Sequence, residues 1–180
     1  MSKQENKLNY EGFTIIEVLI VLAIAALILL VVFLAVPNLQ RSQRNNGRKA
    51  EAARFSTSVT DFVGNNQGAL PQTAADITSI QNNFGTFSYL FKAVASGPGV
   101  DLQTTSTCAM SAGNIRLCNG ATLGTLANIS SDAILVADGA KCGSSSIAMT
   151  LTSGSGTNIA VVYTVETASG FWNQVCIQSQ

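Results

Sequence analysis

Few side chains in this sequence could carry out chemistry, and histidine is absent. Because histidine is the commonest general base and transition-metal ligand, a Ser–His–Asp or Cys–His site cannot be assembled from this chain alone. Asp132 and Asp138 could contribute to a calcium site, but two scattered carboxylates fall short of the roughly six to eight oxygens that calcium takes. We therefore expect no enzymatic activity, no cofactor and no bound metal.

The other reactive groups are four cysteines, which lie in the Ser/Thr/Gly-rich second half at Cys108, Cys118, Cys142 and Cys176. Their spacing contains no CxxC pair, so a zinc ribbon or thioredoxin-type motif is not supported. An even count fits two disulfides in an oxidising compartment, and the alternative is four free thiols in a cytosolic protein. Four cysteines allow three pairings, and the sequence alone leaves all of them open.

Residues 18–36 form an unbroken apolar run of nineteen residues, and this run must position any functional side chains near the amino terminus. About twenty apolar residues cross a bilayer as a helix, because the backbone must satisfy its own hydrogen bonds in lipid. The run is too long for a secretory signal core, and no small-residue cleavage site follows it. Membrane insertion also favours the disulfide interpretation of the cysteines.

Glu17 lies just before this run. A carboxylate inside a spanning segment costs about 2.5–3.5 kcal/mol and usually has a partner. The simpler interpretation is that Glu17 sits near the lipid headgroups.

Residues 12–18 read GFTIIEV and lead directly into the apolar run. This stretch resembles the processing motif of type IV prepilins and type II secretion pseudopilins. The resemblance implies that a prepilin peptidase cuts between Gly12 and Phe13, that Phe13 becomes the N-methylated amino terminus, and that Glu17 is the assembly carboxylate. The new Phe13 amine could then pair with Glu17 of a neighbouring subunit. Such pairing offsets part of the cost of burying each charge and fixes the axial register of the helices.

The same resemblance divides the chain into four segments. Residues 1–12 are a cleaved leader, 13–36 a transmembrane and filament-core helix, 37–66 an amphipathic helix continuing into the head, and 67–180 a globular head. Pro37 lacks an N–H and should kink or loosen the helix.

Five basic residues follow the apolar run, at Arg41, Arg44, Arg48, Lys49 and Arg54. By the positive-inside rule this flank should stay in the cytoplasm, whereas the resemblance places it outside. The run could bind DNA or anionic lipid, but such runs are more often solvated or paired with neighbouring subunits. Ten basic and ten acidic residues cancel over the whole chain, so we expect no direct nucleic-acid binding.

The head is predicted from short alternating segments joined by Gly/Ser turns, which indicate an antiparallel sheet at the carboxy terminus. The apolar residues Phe55, Val59 and Phe62 form a helical stripe that should pack under this sheet. A further short helix is expected around Phe84 to Phe91. The fold class is therefore α+β: one long amino-terminal helix against a small antiparallel sheet, as in type IV pilins.

Type IV pilins commonly fix their carboxy-terminal segment with a disulfide bond, so the resemblance implies a Cys142–Cys176 disulfide. Cys108 and Cys118 would then form the second disulfide. It further implies a structural subunit of a homo-oligomeric helical filament, inserted in the inner or cytoplasmic membrane and then extruded to the cell surface. Its partners would be membrane lipid before assembly, the prepilin peptidase, and a pilus assembly platform with its ATPase. The alternatives are a pseudopilin of a type II secretion system and a membrane-anchored surface binding protein that keeps residues 1–12.

Overall fold

The structure is a computed structural model that describes residues 12–91, 98–103, 109–118, 126, 132–143, 150–154, 158–167 and 172–179. Contacts divide the chain into two compact units, Met1–Gln40 and Arg41–Gln180. The long helix α1, Ile15–Asn65, contributes to both.

In the first unit, all described side chains of α1 from Ile15 to Gln40 are exposed. This part of the helix is long and apolar enough, by length and composition, to cross a membrane. Pro37 lies inside the helix. An apolar surface on every side of a helix requires an apolar surrounding, which is either lipid or other helices.

In the second unit, α1 buries one face that includes Ala52, Phe55 and Val59. These residues recur at three- and four-residue spacing, so they lie on one side of the helix. The helix ends at Asn65, where the sequence predicts its end, and the chain turns away through Gln67 and Gly68, which both have positive φ.

Helix α2, Ala74–Phe84, begins at a capping box in which Thr73 and Asp76 bond each other's backbone N–H groups. It ends at Gly85, whose φ of 93° suits glycine. The prediction of a helix around Phe84 to Phe91 is therefore wrong. Gly85 ends the helix, and Phe87 and Phe91 lie in the following non-helical segment, from which they pack against the core.

The seven described strands form two sheets: β1 Gly99–Gln103, β2 Asn114–Cys118, β3 Ile134–Asp138, β4 Ala140–Cys142, β5 Leu151–Ser153, β6 Ile159–Glu166 and β7 Trp172–Ser179. The larger sheet has the order β1-β2-β3-β6-β7, and β4 pairs with β5 in a separate hairpin. Strands β3, β6 and β7 are antiparallel, as predicted. However, β1, β2 and β3 pair in parallel, so the sheet is mixed. The α+β class is confirmed.

The central strand β3 is buried on both faces. Ile134 and Val136 join the core formed with Phe55 and Val59 of α1, which confirms that the predicted stripe packs under the sheet. Leu135 and Ala137 join a second core on the opposite face, together with residues of the β4–β5 hairpin. Double-sided burial explains why the sequence of β3 is continuously apolar rather than alternating.

A disulfide joins Cys142 of β4 to Cys176 of β7, with a Cα–Cα distance of 5.8 Å. It ties the small hairpin to the larger sheet, and it is the pairing that the resemblance implies. Cys118 is also disulfide-bonded. The expected partner of Cys118, Cys108, lies outside the described residues.

Gly47 and Gly64 both lie in α1, yet their surroundings differ. A Cβ added at Gly47 would come within 2.5 Å of the Tyr89 ring, whereas one added at Gly64 would meet nothing within 4 Å. We expect Gly64→Ala to stabilise the second unit by about 0.5–1 kcal/mol through helix propensity. Gly47→Ala should instead destabilise it by about 1–3 kcal/mol through overpacking. Denaturant unfolding of the detergent-solubilised chain measures both, and equal effects of the two substitutions would contradict the close packing of Tyr89.

Candidate functional site

The residues of the predicted processing site lie at the start of α1. Gly12 and Phe13 precede the helix, and the Phe13 side chain is 89% exposed. Residues 1–11 of the expected leader lie outside the described part of the chain. A peptide bond in this position, before regular structure begins and open to solvent, is accessible to a peptidase.

Thr14 holds the carboxylate of Glu17. The Thr14 N–H and hydroxyl donate to Glu17 Oε2 at 2.8 and 2.7 Å, and the Glu17 N–H lies 3.4 Å from Thr14 Oγ1. This reciprocal arrangement satisfies donors that the first turn of a helix leaves without partners, and the helix dipole favours a negative charge there. In the isolated chain, Glu17 therefore has a partner from its own helix.

Phe13 and Glu17 line the same side of this helix start. Together with Val18, Val21 and Leu22 they border an open groove of about 480 Å³. The groove is apolar except for the carboxylate at its edge. An apolar surface that carries one charge favours a partner with an apolar body and a single opposite charge.

Residues 7–33 match the family model of the prokaryotic N-terminal methylation motif. The chain carries this motif. It is the hallmark of type IV pilins and pseudopilins, and the match includes Gly12, Phe13 and Glu17. No curated protein and no solved structure matches the chain. The match thus ends within the first half of α1, and the rest of the chain is described by its structure alone.

A second polar cluster lies in the other unit, where α1 meets the end of β6. Arg44 donates from Nη2 and Nε to Glu166 Oε2 at 2.7 and 3.1 Å. Asn45 bonds the backbone of Glu166 twice, accepting from its N–H at 2.9 Å and donating to its carbonyl at 2.7 Å. The side chain of Asn45 therefore pairs with Glu166 as a neighbouring strand would.

Arg48 forms the buried part of this cluster, with a side chain only 6% exposed. It forms an ion pair with Asp132 and a second with Glu166 at 3.2 Å, and its guanidinium lies 4.4 Å from the ring centre of Trp172. The hydrogen bond from Arg44 holds the pKa of Glu166 below its ordinary value. Burial raises the pKa of Asp132, and the charge of Arg48 partly opposes this.

These contacts engage three residues of the basic run within the subunit, whereas the sequence favours a run that is solvated or paired with neighbouring subunits. Arg44 and Arg48 are neutralised within the head, and the Arg54 guanidinium lies 5.1 Å from the ring of Phe84. Sequence analysis missed Glu166 and Trp172, because they lie more than a hundred residues from their partners and no local spacing marks them.

The aspartates considered for calcium are not arranged as a metal site. Asp132 pairs with Arg48, and the buried carboxylate oxygens of Asp138 have no hydrogen-bond partner among the described residues. No group of three or more potential metal ligands occurs in the part of the chain that the structure describes. Burial raises the pKa of Asp138 to about 7.

The buried Asp138 predicts that the head loses stability as the pH rises. Its pKa in the folded state, about 7, lies above the ordinary value of 3.8, so folding favours the protonated carboxyl. The contribution of Asp138 to stability should be fully present below about pH 4, fall by up to about 4 kcal/mol toward pH 7, and then level off. Unfolding free energies measured from pH 4 to 8 test this.

Asp138→Asn should remove most of that decrease, because the amide does not ionise. The exposed Asp61→Asn is the matched control in α1 and should leave the pH profile unchanged. If Asp138→Asn has the same pH profile as the unsubstituted chain, Asp138 is not the titrating group.

Proposed function

We propose that this chain is a structural subunit of a type IV pilus. The observation that carries the proposal is the methylation motif at residues 7–33, which leads into a helix whose apolar side chains are exposed on all sides. An exposed apolar helix of this length needs lipid or other helices around it. A subunit that is first inserted in a membrane and then packed into a filament core meets both environments in turn.

The precursor is inserted in the inner or cytoplasmic membrane through residues 13–36. A prepilin peptidase removes residues 1–12 by cutting after Gly12, and Phe13 is then methylated at its new amino group. The exposure of Gly12 and Phe13 ahead of the first turn of α1 supports this assignment. An assembly platform with its ATPase then moves the subunit out of the bilayer and into an extracellular filament.

In the filament, the Phe13 amine of one subunit pairs with Glu17 of its neighbour. Before assembly, Thr14 satisfies the Glu17 carboxylate through two short hydrogen bonds, which lowers the cost of keeping that charge near the membrane. On assembly, the incoming amine adds a charge-assisted partner at the edge of the groove that Glu17 borders. Sliding one helix along another would leave both charges without a partner, so the pair sets the register.

The second candidate is a pseudopilin of a type II secretion system, because the same motif is the hallmark of both classes. Pseudopilins would be scarce and form short stubs, whereas a major pilin would be abundant and form long fibres. A membrane-anchored binding protein would instead retain residues 1–12. The filament would serve adhesion, twitching motility or DNA uptake, and which of these tasks it performs depends on the completed filament and its motor.

Processing is tested by the intact mass and amino-terminal sequence of the protein in a sheared cell-surface fraction. We expect a chain that begins at Phe13, carries one additional methyl group and contains only oxidised cysteines. A full-length chain that occurs only in membranes would contradict the pilus proposal and support the anchored binding protein.

Charge pairing is tested by Glu17→Ala and Glu17→Gln. Both variants should insert and be cleaved normally, because the cleaved bond and the apolar run are intact. Filament yield should fall at least tenfold, because leaving one charge of a buried pair without its partner costs about 3–5 kcal/mol. Quantitative immunoblots of the sheared fraction measure the yield. Asp61→Ala, which removes an exposed acid from the same helix, is the control, and a normal yield from Glu17→Gln would refute the pairing.

A further inference from the structure

The basic flank after the apolar run poses an electrostatic problem for any chain that must later leave a membrane. Five cations lie between Arg41 and Arg54, beginning five residues after the apolar run ends at Val36. Each Lys or Arg held near an anionic lipid surface contributes about 1 kcal/mol of attraction. Free cations at these positions would therefore bind phosphate headgroups and hold the flank at the membrane surface.

The folded head offers two of these cations a different partner. Arg44 makes two hydrogen bonds to one oxygen of Glu166, and Arg48 is buried against Asp132 and Glu166. Both acids come from the sheet side of the head, just before β3 and at the end of β6. The two cations face two carboxylates, so their charges cancel within the cluster.

Glu166 is held in place rather than free to move on the surface. The Asn45 side chain bonds both the N–H and the carbonyl of Glu166, which fixes the backbone that carries the carboxylate. A fixed acceptor costs less conformational entropy to engage than a mobile surface group. The carboxylate is therefore a persistent competitor for the guanidinium of Arg44.

We propose that Glu166 and Asp132 are internal competitors of anionic lipid headgroups for Arg44 and Arg48, and that folding of the head thereby releases this flank from the membrane surface. The inference rests on the membrane-inserted stage of the proposed function.

The test uses the full chain in bilayers that contain equal parts of phosphatidylglycerol and phosphatidylcholine. Spin-labelled lipids report the relative association of each headgroup with the protein. Glu166→Gln should increase the selectivity for phosphatidylglycerol about five-fold, because it frees one cation worth about 1 kcal/mol. The double variant Glu166→Gln with Arg44→Gln should return the selectivity to that of the unsubstituted chain.

Asp101→Asn is the matched control. It removes the same charge from the head and breaks the ion pair with Arg116, which lies on β2 rather than in the basic flank. Its lipid selectivity should not change. Equal increases from Asp101→Asn and Glu166→Gln would show a general effect of net charge and overturn the proposal.

Trp172 monitors the fold in the same samples, since it is the only tryptophan in the chain and lies against Arg48. Unchanged lipid selectivity in a folded Glu166→Gln protein overturns the proposal. If Glu166→Gln loses the native tryptophan emission, the single variant Arg44→Gln tests the proposal instead. Its selectivity for phosphatidylglycerol should equal that of the unsubstituted chain. A decrease would show that Arg44 already binds lipid in the folded protein and would overturn the proposal. None of these measurements requires filaments. A protein that forms no filaments could therefore still show the expected lipid selectivity, so this inference and the pilus proposal can fail separately.

Discussion

A buried guanidinium on α1 constrains how the whole head is assembled. Arg48 is almost fully covered, and an uncompensated charge in that position would cost several kcal/mol. Its partners come from three places: Asp132 before β3, Glu166 at the end of β6 and the ring of Trp172 at the start of β7. Satisfying this one side chain therefore requires the helix and three strands of the sheet to be in their final positions.

A single helix meets two different environments, and its sequence changes accordingly. From Val18 to Val36 the side chains are apolar all round and exposed, whereas beyond Arg41 only one face is apolar and it is buried. Glu51 is an example from the second part of the helix. Its buried carboxylate accepts hydrogen bonds from the backbone N–H groups of Ser88, Tyr89 and Leu90. Polar side chains of the second part are thus used to fix the loop and sheet against the helix.

Both faces of the larger sheet are covered, each by different elements. Helices α1 and α2 cover one face, and the β4–β5 hairpin helps to cover the other. A three-residue pairing is too short to hold a hairpin in place by itself. The Cys142–Cys176 bridge supplies the additional link by joining the hairpin to the edge strand β7.

The sequence alone determined the features whose residues are close together in the chain. The motif at residues 12–18, the apolar run, the end of α1 near Gly64 and the antiparallel strands β6 and β7 all depend on local spacing, which a sequence displays directly. Only the tertiary structure decided the parallel pairing of β1 and β2, the position of α2, and the ion pairs of Arg44 and Arg48. Those pairs join residues 84 to 122 positions apart, so they exist only once the sheet has placed its acids beside the helix.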